Sequence, residues 1–173
     1  FGAVVAGCQH NSCPEDQANW STLRVMVEGE RFALTDYGNS ERLVRRHGDD
    51  LLFVHDWGLW LAWDGRRYKA DDTGEVIRLA KTTVRSIYEE AIREPDDDGR
   101  KAIAKHAARS ESALKIKAMV DLARSEFEVA AIHTELDRNP LLFNCANGVI
   151  NLKTGELLPH DRAFRLSKLS SVP

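Results

Sequence analysis

The spacing of apolar residues changes twice along this chain of 173 residues. Between residues 51 and 70, apolar side chains come in short runs rich in aromatic and branched residues, which is typical of strands. From residue 76 to residue 124 they recur every three or four positions, which predicts helices. Short apolar runs return after Asn139-Pro140. The pattern predicts an α+β fold, with a helix-rich centre flanked by two small β-hairpin regions.

Both hairpin regions have favoured turn sequences between their predicted strands. Asp64-Gly65 is typical of a two-residue hairpin turn, and Asn147-Gly148 and Thr154-Gly155 punctuate the second region. The predicted strands are Leu51–His55, Leu59–Trp63, Arg66–Ala70, Leu141–Asn144, Val149–Leu152 and Glu156–Leu158.

Capping residues set the predicted helix starts. Ser40 is an N-cap candidate for a helix that ends at His47. Asp72, with Glu75 three residues later, has the spacing of a capping box for a helix that ends before Pro95. Two further helices are predicted over Arg100–Ala108 and Ser112–Arg124. The apolar residues of the helix before Pro95 and of the last helix are expected in the core. They are Val76, Leu79, Ala80, Val84, Ile87, Ala91, Leu114, Ile116, Met119, Val120 and Ala123.

Composition excludes several classes of protein. No apolar run approaches the roughly 18 residues of a membrane-spanning helix. The net charge of −3 argues against indiscriminate nucleic-acid affinity over the whole surface. Three cysteines, two of them close together and Cys145 far away, do not make a disulfide framework, which favours a reducing, cytoplasmic setting. A chain that starts at Phe1 and ends at Pro173 in mid-sequence is expected to be a fragment of a longer protein.

The first thirty residues differ from the rest. Cys8, His10 and Cys13 lie within six residues, close enough for a tight turn to direct all three at one tetrahedral zinc ion in a structural site. The fourth ligand is open, either an upstream residue or Asp16, and the alternative is a pair of unpaired thiols at a frayed terminus. We therefore expect residues 1–30 to be the end of a small zinc knuckle plus a helix, and residues 34–173 to be the main module.

Basic residues are the best candidates for phosphate contacts, which add salt-dependent affinity without sequence preference. Between Arg100 and Lys117 six positive side chains face a single acidic one, Glu111, although such runs are usually a solvated helix face. The candidates are Arg42, Arg45, Arg46, Arg66, Arg67, Lys69, Arg100, Lys101, Lys105, Arg109, Lys115 and Lys117.

Tryptophans in the first hairpin region could stack on the bases of single-stranded nucleic acid. Alternation along the strand places Trp63 on the same face as Leu59 and Leu61, so we expect Trp63 in the core. Trp57 and Trp60 are then the candidates for stacking.

No catalytic arrangement is evident. The paired acids Asp49-Asp50 and Asp71-Asp72 and the run Asp96-Asp97-Asp98 could in principle hold magnesium, but each lies in a predicted turn without a suitably spaced basic partner. The histidines are scattered, and Cys145 among apolar neighbours suggests a small core residue. An autonomous enzyme that uses the aspartates is the weakest of the hypotheses.

Two segments carry a family resemblance. LFVHDWGLWLAWDGRRYKAD (residues 52–71) and ELDRNPLLFNCANGVINLKTGELLPHD (residues 135–161) resemble the two ends of the domain that precedes the superfamily 3 helicase motor in phage and plasmid primases and the poxvirus primase-helicase. The order and the intervening helical stretch also match, over about residues 34–173. Tyr68 stands where Trp is more usual, and Asn151 where Asp is common.

The resemblance implies a non-catalytic module of a DNA primase-helicase in the cytoplasm of a bacterial host. It would couple an upstream priming domain to an ATP-driven, hexameric helicase ring and contact single-stranded or forked DNA during replication. ATP and magnesium would belong to the motor, since the chain has no Gly-x-x-x-x-Gly-Lys-Ser/Thr loop, and zinc to the knuckle. The alternative is a structural collar or oligomerisation domain without DNA contact.

Overall fold

Four helices in the centre and two small sheets make up the part of the chain that the computed structural model describes, residues 31–171. This confirms the predicted α+β class. Residues from Leu34 onward belong to one compact unit. The helices are α1 (Asp36–His47), α2 (Glu75–Arg93), α3 (Asp97–Ser110) and α4 (Ala113–Ala123). None of the described helices is long and apolar enough to cross a membrane.

Sheet A has four strands in the order β3-β2-β1-β4. Its strands are β1 (Leu51–Val54), β2 (Leu59–Trp63), β3 (Tyr68–Ala70) and β4 (Ala130–Ala131). The first three form the predicted antiparallel meander, and β4 pairs with β1 in parallel. The sequence did not indicate β4, because two alanines carry no alternation. The strand exists through backbone hydrogen bonds from Phe53 N to Val129 O (2.7 Å) and from His55 N to Ala131 O (3.0 Å).

Sheet B is an antiparallel meander of β5 (Leu142–Cys145), β6 (Gly148–Asn151) and β7 (Leu157–Leu158). Cys145 pairs with Gly148, so the two-residue turn is Ala146-Asn147, one position earlier than predicted. Gly148 has φ of 156°, and a Cβ at this position would lie 2.6 Å from the carbonyl oxygen of Leu158. Glycine is therefore required where β6 passes β7.

The turn between β2 and β3 is longer than the predicted two residues. Trp63 pairs with Tyr68, which leaves a four-residue loop. Asp64 organises it, because its Oδ1 accepts hydrogen bonds from the backbone N–H groups of Arg66 and Arg67, both at 2.9 Å. The prediction of a two-residue turn was wrong because an aspartate that bonds to the backbone two and three residues ahead stabilises a wider loop.

Two helix starts differ from the predicted caps. Thr35, not Ser40, caps α1, and its hydroxyl accepts from Gly38 N. At α2, Gly74 with φ of 79° precedes the first turn, and the carboxylate of Asp71 rather than Asp72 accepts from the N–H groups of Glu75 (2.7 Å) and Val76 (2.9 Å). Ser112 caps α4, since its hydroxyl accepts from Lys115 N.

The main core lies between the helices and one face of sheet A. Leu43 from α1, Phe53 and Trp60 from the sheet, Val84 from α2 and Met119 from α4 all belong to it. The opposite face of the sheet packs around a smaller apolar cluster that contains Tyr68 and Leu136. Most of the periodic residues predicted for the core are buried, but Leu114 is 76% exposed and Leu79 only partly buried.

A segment near the C-terminus joins the two sheets. We call residues 165–170 the strap. Tyr68 N donates to Leu166 O (2.8 Å), so the strap lies along the edge of β3 that does not pair with β2. At sheet B, the Asn144 side chain donates to Lys168 O (2.9 Å), and Ser170 N donates to Asn144 O (2.9 Å). The strap therefore covers an otherwise open strand edge and fixes sheet B to sheet A.

Candidate functional site

One face of α3 carries cations at a spacing of four residues. Lys101, Lys105 and Arg109 are exposed, and residues four apart are neighbours on a helix surface. Lys101 pairs with Asp98 at 3.5 Å, and Arg100 on the next face pairs with Asp97 at 3.0 Å. Within residues 31–171, Lys105 and Arg109 have no ion-pair partner, so their charges are available to an external anion.

Of the two α4 lysines predicted to contact phosphate, one has an acidic partner and the other has none among the described residues. Lys115 pairs with Asp36 at 2.8 Å, which links α4 to the start of α1. Lys117 is exposed and has no acidic partner among the described residues.

Arg42 has a structural role. Its side chain is 2% exposed, and its guanidinium donates to both carboxylate oxygens of Glu90, at 2.8 and 2.7 Å, and to Gly38 O at 3.1 Å. This geometry ties α1 to α2 and leaves Arg42 no access to a DNA phosphate, contrary to the expectation from sequence.

The remaining cations are dispersed. Arg45 and Arg46 are exposed at the end of α1, and Arg66 is exposed in the β2–β3 loop. Arg67 donates to Ser167 O and Lys69 pairs with Asp72. The predicted basic set is therefore distributed over several elements, and the unpaired charge on α3 and α4 is the clearest part of it.

The three tryptophans of the first hairpin have three different environments. Trp60 is 9% exposed and its ring packs against Phe53 at 5.2 Å, which removes it from any stacking role. Trp63 contacts Tyr68 at 5.3 Å and packs against the smaller cluster, as its predicted core position requires. Trp57 is 49% exposed in the β1–β2 turn. Of these three tryptophans, Trp57 has the ring that is most accessible to a partner.

Trp57 has aromatic and acidic neighbours that the sequence did not indicate. Because β1 and β4 are parallel, the residues that follow them meet at one sheet edge, which brings Asp56 and Trp57 to His133. The Asp56 Oδ2 accepts from the His133 backbone N–H (3.0 Å) and lies 2.8 Å from Nδ1. The side-chain and backbone hydrogen bonds from His133 hold the pKa of Asp56 below its ordinary value. The Trp57 and His133 rings lie 6.3 Å apart at 30° and form one partly exposed aromatic surface.

Two of the three aspartate clusters have structural roles at helix starts. Asp71 caps α2, and Asp96 caps α3 by accepting from Gly99 N at 2.7 Å. In the described part of the chain, no three His, Cys, Asp or Glu side chains come together in a group that could hold a metal ion. The zinc-ligand candidates Cys8, His10 and Cys13 lie outside the described residues, and Cys145 is 2% exposed in the core.

Comparison with known proteins places the chain in a family. No curated protein matches it. A family profile described as D5 N terminal like matches residues 40–173, most of the chain and the whole of both sheets and α2 to α4. That family occurs in phage and plasmid primase-helicases. The chain therefore belongs to the D5 N-terminal-like family, which associates it with the primase-helicases of DNA replication.

Proposed function

We propose that this segment is a non-catalytic module of a phage or plasmid DNA primase-helicase, coupling a priming domain to a superfamily 3 helicase ring and contacting DNA. Family membership supports the setting in replication. In this arrangement ATP and magnesium serve the adjoining motor, and zinc, held by Cys8, His10 and Cys13, serves a structural knuckle. The homo-oligomer is the hexameric ring of the full-length protein.

The unpaired cations on α3 and α4 carry the DNA-contact part of the proposal. Many basic side chains of the described residues are neutralised by a nearby acid, as Arg78 is by Glu75 and Arg124 by Asp121. Lys105, Arg109 and Lys117 are not. Cations without acidic neighbours attract phosphate and release counterions when it binds, which gives affinity that falls as salt rises.

Trp57 supplies a second type of contact. Its half-exposed ring beside His133 is suited to stacking on an unpaired base, which is insensitive to sequence because every base has a π face. Phosphate contacts through α3 and one stacking contact favour single-stranded or forked DNA over duplex.

A structural collar is the second candidate, and sheet B favours it. Phe143, Ile150 and Leu157 form one cross-strand row, in which Phe143 is 45% and Leu157 52% exposed. Exposed apolar rows of this kind mark protein interfaces more often than DNA contacts. Light scattering after size-exclusion chromatography, on the segment alone and joined to its motor, tests whether the segment contributes to assembly.

Charge reversal on α3 tests the proposal. We expect Lys105→Glu with Arg109→Glu to weaken binding of labelled single-stranded and forked DNA, measured by fluorescence anisotropy at two salt concentrations. Log affinity falls as log salt rises, and removing two phosphate contacts should make this slope less steep by about 1.4 for single strands.

The matched control is Lys81→Glu with Arg85→Glu on α2, which has the same residue types at the same spacing and the same change in charge. Both are exposed and lack an acidic partner within residues 31–171. Equal losses in both double variants would indicate a general charge effect. Wild-type protein that does not bind DNA at low salt would rule out DNA contact and leave the collar.

A further inference from the structure

A polar cavity of about 670 Å³ lies between two short 3-10 turns, His133–Glu135 and Arg162–Phe164. Its volume is within the range of sites for small molecules. None of the predicted site residues lines it. We call it the Arg138 pocket, and its polar lining residues are Glu135, Arg138, Asn139 and Arg165.

The polar groups of the Arg138 pocket are mainly hydrogen-bond donors. Arg138 is exposed and has no ion-pair partner in the described part of the chain. The Oδ1 of Asn139 accepts from Leu141 N at 3.0 Å, which leaves its amide Nδ2 as the free group. Arg165 pairs with Glu135 through one terminal nitrogen, and a guanidinium has five N–H donors. With the carboxylate of Glu135 engaged, the pocket offers donors and net positive charge, which suit an anion.

The backbone around the pocket is held in an uncommon conformation. Asp137, with φ of 51°, and Arg165, with φ of 46°, are non-glycine residues in the left-handed region. They are joined by a hydrogen bond from Asp137 N to Arg165 O (3.1 Å). The Asp137 carboxylate also accepts from the backbone N–H (2.9 Å) and the hydroxyl (2.5 Å) of Ser167. Such residues persist only where surrounding contacts fix them, so the pocket is preorganised.

Part of the pocket's lining is apolar. Phe164, Pro140 and Leu142 contribute it, and Phe164 is partly exposed. A ligand that satisfies both the donors and the apolar lining carries a phosphate or similar anion together with a flat, weakly polar group. A nucleotide has both, because its base can pack on an aromatic ring while its phosphate accepts from arginine and amide donors.

We infer that the Arg138 pocket binds a nucleotide, with its phosphate against Arg138 and Asn139 and its base against Phe164. The inference rests on the proposed function, because the most direct source of the bound nucleotide is single-stranded DNA. A free nucleoside monophosphate presents the same chemistry, so the two sources are separated by experiment.

Two probes test the pocket, a labelled short oligothymidylate by fluorescence anisotropy and dTMP by saturation-transfer NMR. We expect Arg138→Ala to weaken binding of the oligothymidylate by about tenfold, as for loss of one hydrogen bond to a charged group. Phe164→Ala should weaken it as well, and Arg138→Lys should restore part of the affinity. The matched control is Lys153→Ala, an exposed cation in the β6–β7 turn without an acidic partner within residues 31–171. Circular dichroism checks that each variant is folded.

The outcomes distinguish the pocket from the DNA contact on α3. Oligothymidylate binding that depends on Arg138, with or without dTMP binding, supports the pocket, and dTMP binding adds free nucleotide as a source. If Arg138→Ala and Phe164→Ala bind as wild type while the α3 double variant loses affinity, the pocket is overturned and the proposed function stands. If wild type does not bind the oligothymidylate but binds dTMP through Arg138, the proposed DNA contact fails and the pocket remains. Binding of neither probe overturns the pocket.

Discussion

Arg42 and His106 lie in one polar group at the packing of α1 against α2 and α3. Asn39 and Ser110 are almost fully buried, and the Asn39 amide donates to the Ser110 hydroxyl at 2.9 Å. His106 Nε2 lies 2.9 Å from Asn39 Oδ1 and 3.3 Å from the Ser110 hydroxyl. In the neutral imidazole an Nε2–H donates to Asn39. These contacts make the helical core specific for one arrangement, because each buried polar group needs its partner.

Burial lowers the pKa of His106, and the charges of Arg42 and Lys115 act in the same direction against the opposing effect of Asp36 and Glu90. The fold therefore favours the neutral ring. We expect the contribution of His106 to the free energy of unfolding to be unchanged just above pH 6.5, the ordinary value for histidine, and to decrease as the pH falls below it toward the lowered pKa of the folded state. Urea unfolding measured above and below pH 6.5 checks this.

His106→Gln should make stability less dependent on pH in that range. His47, whose pKa burial also lowers, contributes in the same direction, so His47→Gln is the parallel variant. If the free energy of unfolding decreases equally below pH 6.5 in wild type and in the variant that combines His106→Gln with His47→Gln, neither histidine has the expected role.

The sequence could not have assigned these roles. Arg42 occupies the same kind of helical position as Arg45 and Arg46, and only the packing of α2 distinguishes them by placing Glu90 beside Arg42. Leu114 is a different case: at about 100° per residue it lies on the face of α4 opposite Ile116, Met119, Val120 and Ala123, so its prediction as a core residue was wrong by the helical period itself. Period and charge identify residue classes, and tertiary contacts select among the members.

At the scale of elements, segments with a clear apolar pattern were predicted well and backbone-driven ones were not. The existence of α2, α3 and α4 and all six predicted strands follow directly from apolar spacing and turn residues, whereas β4 does not. The caps at Thr35 and Asp71 were missed because several nearby polar residues could serve equally well in sequence. Of the candidate site, the cations of α3 were predicted, while the Trp57–His133 surface and the Arg138 pocket depend on contacts between distant segments.

Gly148 provides a test of packing within sheet B. Gly148→Ala places a Cβ against the carbonyl oxygen of Leu158, so we expect a loss of stability of about 1–3 kcal/mol, as for overpacking. Thermal and urea unfolding measure the loss. Gly155→Ala is the control, because Gly155 also has positive φ (74°) but no heavy atom within 4 Å of a Cβ. If both variants lose the same stability, the effect comes from φ alone and not from contact with β7.

At the scale of the whole molecule, the strap determines how the two sheets act together. Leu166 is 4% exposed, and its carbonyl accepts from Tyr68 at the edge of sheet A, while Ser170 bonds to Asn144 in sheet B. Residues about 100 positions apart, such as Arg67 and Ser167, are also joined here. Sheet B therefore depends on the strap for its position relative to sheet A.

Leu166→Ala should weaken both attachments together. We expect a destabilisation of about 2–5 kcal/mol, as for other buried Leu→Ala changes. Hydrogen exchange should show faster exchange at the Tyr68 and Ser170 amides than at those of α2, because local opening of the strap precedes global unfolding. If amide exchange becomes faster to the same extent in α2 and in both sheets, the strap opens only when the whole protein unfolds.

The parallel pair of β1 and β4 has a consequence for biosynthesis. β1 is made early, but the partner for its second edge comes only after three helices have been synthesised. Until residues 129–131 leave the ribosome, the nascent chain exposes the apolar, unpaired edge of Leu51–Val54, and such edges promote association between chains. Folding of α2 to α4 during that interval does not cover the edge, because helices form from local contacts whereas the pairing of β1 with β4 is long-range. Translation pauses that hold the chain when α4 has left the ribosome but residues 129–131 have not should therefore be the ones that most increase aggregation of the newly made protein.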